Sequence, residues 1–124
     1  MKTALLISVL AIAATSSALA APEISTVNTT IGKVLTGAND MTLYTFDQDS
    51  RGVSSCYDTC AINWPPFIAM EGAQASGEYS LVKRKDGSEQ WAQNGMPLYY
   101  WAKDKKAGDV TGDGINGVWH AAKP

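Results

Sequence analysis

Histidine and cysteine are scarce in this 124-residue chain: it has one histidine, His120, and two cysteines, Cys56 and Cys60. These shortages weigh against several chemistries. Two sulfurs and one imidazole fall short of the ligand set of a closed soft-metal site. Haem attachment needs a histidine directly after the second cysteine, where Ala61 stands. The cysteines are separated by Tyr57, Asp58 and Thr59, one residue more than the Cys-x-x-Cys of redox enzymes. No nucleophile-elbow sequence is present, so nucleophilic catalysis would have to pair His120 with Ser54 or Ser55. After the N-terminal segment no run is apolar enough to cross a bilayer. Basic charge is also sparse. Without Lys2, 9 of the 10 Lys and Arg residues face 12 Asp and Glu, a net of −3, which argues against nucleic acid or an anionic membrane as partner. No segment sustains helical periodicity.

What is present begins with an address. Lys2, the apolar run Ala4 to Ala14 broken only by Ser8, and the small residues Ala18-Leu19-Ala20 read as a secretory signal peptide. Cleavage after Ala20 is expected, with export to the periplasm or the medium. No cysteine sits near that position, so lipidation is not expected. Residues 21–124 are then expected to form a single all-β domain, as a monomer. In an exported chain an even cysteine pair is by default a disulfide. So short a loop contributes about 2 kcal/mol on the chain-entropy model, and its role is to pin the turn before Trp64. Redox or metal use of the pair is the alternative.

One pattern is written twice. Met41-Thr42-Leu43-Tyr44-Thr45-Phe46-Asp47-Gln48-Asp49 and Met96-Pro97-Leu98-Tyr99-Tyr100-Trp101-Ala102-Lys103-Asp104 share Met-x-Leu-Tyr-x-aromatic-x-x-Asp at an offset of 55 residues. A tryptophan follows each tyrosine by 20 residues, Trp64 after Tyr44 and Trp119 after Tyr99. Strands are expected over Val27–Leu35, with an interruption near Gly32, and over Met41–Phe46, Tyr79–Lys83, Ser88–Gln93, Met96–Trp101 and Gly117–Ala121. Asn94-Gly95 predicts a two-residue hairpin turn. Pro97 predicts an edge position. One short helical turn is expected between Ser55 and Trp64, ended by Pro65-Pro66. Lys83-Arg84-Lys85 reads as a solvated hairpin end. The fold class is therefore all-β: a small antiparallel sandwich or barrel of two pseudo-twofold repeats, about 30–70 and 79–124.

The first signature continues with Gly52, Ser54, Cys56, Cys60-Ala61 and Trp64-Pro65-Pro66. The second half carries Arg84-x-Asp86-Gly87, Gln90-Trp91, Gly95-x-Pro97-Leu98-Tyr99, Asp104, Gly108-Asp109, Gly112, Gly114 and Gly117-Val118-Trp119-His120. In these residues the chain resembles a bacterial family of secreted repeats, predicted lipoproteins defined by a Tyr-x-aromatic-x-x-Asp motif. The resemblance covers Gly37 to Pro124. It implies an extracytoplasmic address and a repeat structure, and it implies no activity. Many members carry a lipid-acceptor cysteine after the signal peptide; this chain does not, so membrane tethering is not carried over.

Strand alternation places Tyr44 with Phe46, and Tyr99 with Trp101, on one face. The simplest reading makes the signature a packing device. Its Asp accepts backbone N–H bonds in a turn, and its tyrosine hydroxyl bonds a loop backbone or that Asp. If the signature is instead a site, Tyr44, Asp49, Tyr99, Trp101, Asp104 and His120 are the candidate ligand-binding residues, lying where the two copies meet. Asp104, Asp109 and Asp113 faintly resemble a calcium loop whose closing Glu is missing. Met41, Met70 and Met96 with His120 are conceivable soft ligands, though packing at the strand starts accounts for Met41 and Met96. No catalytic residue, metal or cofactor is expected. The expected function is an exported, non-enzymatic binding or interaction protein of the envelope, with an unidentified ligand. A periplasmic electron-transfer accessory or metal- or cofactor-handling protein is the alternative. A small secreted hydrolase or enzyme inhibitor comes third.

Overall fold

The computed structural model describes residues 23–124; the expected signal segment and its cleavage position lie outside the described residues. Local turn chemistry builds the first hairpin. Thr29 Oγ1 donates to the Gly32 carbonyl at 2.7 Å and accepts the Ile31 N–H at 3.2 Å, while Gly32 adopts φ +96°. Strand β1 (Ser25–Thr29) therefore folds back onto β2 (Gly32–Thr36), with Val27 opposite Val34. The single strand expected over Val27–Leu35 is thus a hairpin. β-Branched composition signals strand, but Thr30-Ile31 is not a strong hairpin dipeptide.

After a 3-10 turn at Ala38–Asp40, Thr42 makes one bridge back to Thr36. The strand expected over Met41–Phe46 shortens to β3 (Tyr44–Phe46). Its partner is β7 (Trp119–Ala121) at the far end of the chain, with Phe46 opposite Trp119. The Cys56–Cys60 disulfide leads into α1 (Thr59–Asn63), the helical turn expected before Pro65. The second half forms a sheet in the order β4 (Tyr79–Lys83), β5 (Glu89–Gln93), β6 (Met96–Pro97). Asn94 at φ +50° and Gly95 at φ +85° make its two-residue turn. Pro97 lies in an edge strand, where its missing N–H is harmless. The strand expected to reach Trp101 stops there, and Tyr99 makes isolated bridges to both Tyr44 and Pro66. All pairings are antiparallel, in three small sheets that do not close into a barrel. The basic run is split: Lys83 and Lys85 are exposed, but Arg84 is 7% exposed, so the solvated reading fails for Arg84.

The two halves meet around a pseudo-twofold axis. Tyr44 and Tyr99 exchange both backbone hydrogen bonds, at 2.8 and 2.9 Å. On either side the Phe67 N–H donates to the Leu98 carbonyl at 2.9 Å, and the equivalent Ala122 N–H donates to Leu43 at 2.8 Å. One face of this seam carries a four-ring stack. Phe46 lies on Trp119 at 4.1 Å, Trp119 on Trp64 at 3.8 Å and Trp64 on Trp101 at 4.1 Å. Phe46 corresponds to Trp101 and Trp64 to Trp119, so the stack reads the same from either end. Tyr44 and Tyr99 meet Trp64 and Trp119 edge-on at 5.4 and 5.2 Å. Such pairs each contribute about 0.5–1.5 kcal/mol beyond the area they bury. The opposite face buries Leu35, Leu43, Phe67, Trp91, Leu98 and Ala122, as alternation requires.

Gly112 lies against this stack: a Cβ there would approach Trp64 at 2.9 Å and Trp101 and Tyr44 at 3.0 Å. Gly112→Ala is expected to lower stability by about 1–3 kcal/mol, the usual range for overpacking, in urea unfolding. A change below about 0.5 kcal/mol, typical of open surface positions, would show that the stack has room to shift.

Candidate functional site

The signature hydroxyls are removed from water, since Tyr44 and Tyr99 are each 0% exposed. Each finds a carboxylate in the other repeat. Tyr44 Oη donates to Asp104 Oδ2 at 2.6 Å, and Tyr99 Oη donates to Asp49 Oδ2 at 2.6 Å. The structure therefore brings Tyr44, Asp49, Tyr99 and Asp104 together as two crossed pairs, rather than as tyrosines bonded to the Asp of their own copy. The second oxygen of each carboxylate holds a loop. Asp49 Oδ1 accepts the Ser55 N–H and hydroxyl at 2.8 and 2.9 Å. Asp104 Oδ1 accepts the Thr111 N–H and hydroxyl at 3.1 and 2.6 Å. Each carboxylate thus ties the opposite repeat's tyrosine to its own following loop.

The two pairs differ in what surrounds them. Around Tyr99, Arg84 donates to Ser54 Oγ at 3.0 Å, Gln90 Oε1 at 2.8 Å and the Cys56 carbonyl at 2.8 Å. Its guanidinium carbon lies 4.3 Å from the centre of the Tyr57 ring. Ser54 Oγ and Tyr99 Oη are 2.6 Å apart. Because the Tyr99 proton goes to Asp49, Ser54 is the donor in that contact. The result is a directional chain from a buried cation to a buried anion: Arg84 to Ser54 to Tyr99 to Asp49. Around Tyr44 no cation replaces Arg84; the Gly112 N–H donates to Tyr44 Oη at 3.2 Å instead. Among the described residues, Thr36 Oγ1 is the one buried side-chain polar atom without a partner, so both pairs are satisfied internally. The parts that Ser54, Arg84, Gln90, Thr111 and Gly112 play around the crossed pairs escaped the sequence reading. Ser54, Arg84, Gln90 and Gly112 lay within the family-like pattern without a role assigned there, Arg84 was read as solvated with its lysine neighbours, and Thr111 lay in a glycine-rich loop.

The remaining candidates lie elsewhere. Trp101 is a partly buried end of the aromatic stack. His120 points outward from β7 and pairs with Asp47 at 2.8 Å, both side chains being about half exposed. Asp109 Oδ2 accepts the Lys105 and Lys106 N–H groups, which lower its pKa, Lys105 most strongly. Asp113 Oδ1 accepts the Ala121 N–H. These are turn roles, and no cluster of three His, Cys, Asp or Glu that could hold a metal is found among the described residues.

A family model described as a secreted repeat of unknown function matches residues 25–68 and again residues 80–123. The chain belongs to this family. Each matched copy of the secreted repeat supplies one hairpin, one signature and two rings of the stack, so the crossed pairs join one copy to the other. Comparison with curated proteins and with solved structures found no match. Among the described residues no helix is long and apolar enough to cross a membrane.

Burial first, and then the carboxylate bond, push the Tyr44 and Tyr99 hydroxyls well above the ordinary tyrosine range. Unfolded tyrosines titrate near about 10. Below that pH both states keep their protons and the full stabilisation is present. Above it the unfolded chain releases protons that the folded chain retains, so stability falls as pH rises. The urea midpoint is expected to drop once pH passes about 10. Phenolate absorbance should show Tyr44 and Tyr99 ionising only on unfolding. Ionisation of all five tyrosines while the protein remains folded would contradict the crossed pairs.

Proposed function

We infer that the protein is exported, is processed after Ala20, and acts in the cell envelope as a non-enzymatic binding module that takes an extended polypeptide along β1. The observation that carries this reading is the outer edge of β1, which has no backbone partner among the described residues. A two-residue loop closes the hairpin on Thr29 and Gly32, so Thr29, Val27 and Ser25 direct their backbone groups to β2. Thr26 and Asn28 direct theirs outward. Leu35, opposite Thr26, agrees: its own N–H and C=O turn away from β1 to Ala122 and Leu43.

β1 carries no charge and no proline, two of the usual devices that protect an edge from strand addition. Beside it opens a groove of about 690 Å³ between Val27–Thr30 and Ala107–Thr111. One wall comes from each repeat, and the far wall is the loop that Asp104 holds through Thr111. On this reading the signature positions the groove without touching the ligand. Main-chain bonds to Thr26 and Asn28 would supply affinity, and the groove would select alternate side chains, as in β-strand addition.

The test is to pan a displayed library of random linear peptides on the full chain. Captured peptides should slow amide exchange at Thr26 and Asn28. They should lose binding to Asn28→Pro, a substitution an edge strand tolerates, with the unfolding midpoint little changed. Capture that survives Asn28→Pro, or leaves both amides unprotected, would contradict this function. So would concentration-dependent dimerisation through β1.

A further inference from the structure

Three indoles and two phenols are in ring contact through the centre of the molecule. Trp101 is partly buried at one end. Trp64 stacks on it at 4.1 Å, and Trp119 stacks on Trp64 at 3.8 Å. Tyr44 meets Trp64 at 5.4 Å, and Tyr99 meets Trp119 at 5.2 Å. Indole and phenol are among the side chains most readily oxidised by one electron. Electronic coupling falls exponentially with distance, so rings in contact exchange an electron faster than rings held apart. A phenol becomes a good electron donor when its proton can leave with the electron. Both hydroxyls here already donate to a carboxylate oxygen at 2.6 Å, so the base is in place. Charge also sets a direction. Lys103 Nζ lies 5.8 Å from the centre of the Trp101 ring and disfavours a cation resting there, whereas Asp104 stands at the Tyr44 end and Asp49 at the Tyr99 end, where the Arg84 cation reaches the phenol only through Ser54.

We propose that this core is a relay for single oxidising equivalents, which enter at Trp101 and come to rest on the phenols of Tyr44 and Tyr99. A one-electron oxidant, such as an oxidised metal complex or a radical, takes one electron from Trp101 and is itself reduced. Trp64 returns an electron to Trp101, and Tyr44 returns one to Trp64. As Tyr44 is oxidised its O–H bond breaks and the proton passes to Asp104 Oδ2. The products are a neutral phenoxyl radical and a neutral carboxylic acid. A one-electron donor reverses the sequence, and the proton returns to the phenol. The second branch runs from Trp64 through Trp119 to Tyr99, whose proton passes to Asp49. The disulfide sulfur of Cys56, buried in the same cluster, is thereby kept from being the resting place of the charge. This relay goes beyond peptide capture and does not depend on it.

The experiment uses the full chain and a photogenerated ruthenium(III) polypyridyl oxidant, followed by transient absorption and by electron paramagnetic resonance after freezing. An indole radical should appear first and a tyrosyl radical should grow as it decays, more slowly in deuterated water because the phenol proton moves in that step. Trp101→Phe, at a partly exposed position, should lower the tyrosyl yield several-fold. Asp49→Asn combined with Asp104→Asn keeps an acceptor for each hydroxyl but removes the base, and should leave the radical on indole. The isotope comparison needs no variant, so the proposal remains testable if the double variant folds poorly. An unchanged tyrosyl yield in Trp101→Phe, no isotope effect, or a radical that survives Tyr44→Phe with Tyr99→Phe by sitting on Tyr57, Tyr79 or Tyr100 would overturn it.

Discussion

A phenol taken out of water needs an acceptor, and in this chain each signature phenol finds it in the opposite repeat. Leaving such a group unsatisfied costs about 1–3 kcal/mol, a large share of the stability of a small domain. The acceptor must be an oxygen held at a fixed place, and only the docked second copy supplies it. Hydrogen bonding therefore selects the mutual orientation of the repeats, and stacking then fills the seam. Tyr44 and Tyr99 pair backbone to backbone, Trp64 lies flat on Trp119, and Phe46 and Trp101 close the two ends. Each carboxylate also fastens its own loop, so one atom group joins repeat docking to loop geometry.

The two repeats give a symmetric scaffold whose two ends differ in the residues that surround them. The Tyr99 end has a buried cation: Arg84 reaches Asp49 through Ser54 and Tyr99, Gln90 accepts from the same guanidinium nitrogen as Ser54, and the Cys56 carbonyl accepts from the other terminal nitrogen. The Tyr44 end has a glycine, Gly112, whose N–H takes the place of a side-chain donor. The hairpins differ too. β4 ends in Lys83 and is followed by buried Arg84, while its counterpart β1 has no charge and leaves its edge open. Differences of this kind let a pseudo-twofold molecule present one particular surface rather than two equal ones.

Much of this was legible in the sequence. The 55-residue offset gave the repeats, Asn94-Gly95 gave a turn, and Pro65-Pro66 gave the end of a helical turn. Alternation put Tyr44 with Phe46 and Tyr99 with Trp101 on one face, opposite Leu43 and Leu98, and the structure buries both faces. The crossing of the pairs was not legible, because two copies of one motif offer each tyrosine two equivalent aspartates, and spacing along the chain favours neither. The partner of β3 was not legible for a related reason: three residues state a face but not a neighbour, and β7 lies at Trp119–Ala121, far along the chain. Arg84 was misread because a basic run is normally solvated; its burial depends on Ser54, Gln90 and the Cys56 carbonyl converging from separate segments.

The central claim is that the signature works across the repeats and not within them, and a double-mutant cycle on stability measures that directly. Tyr44→Phe combined with Asp104→Ala should show a coupling of about 0.5–3 kcal/mol, the range for residues in contact. Tyr44→Phe combined with Asp49→Ala should be additive within about 0.5 kcal/mol. Coupling of Tyr44 to Asp49 and independence from Asp104 would contradict the account.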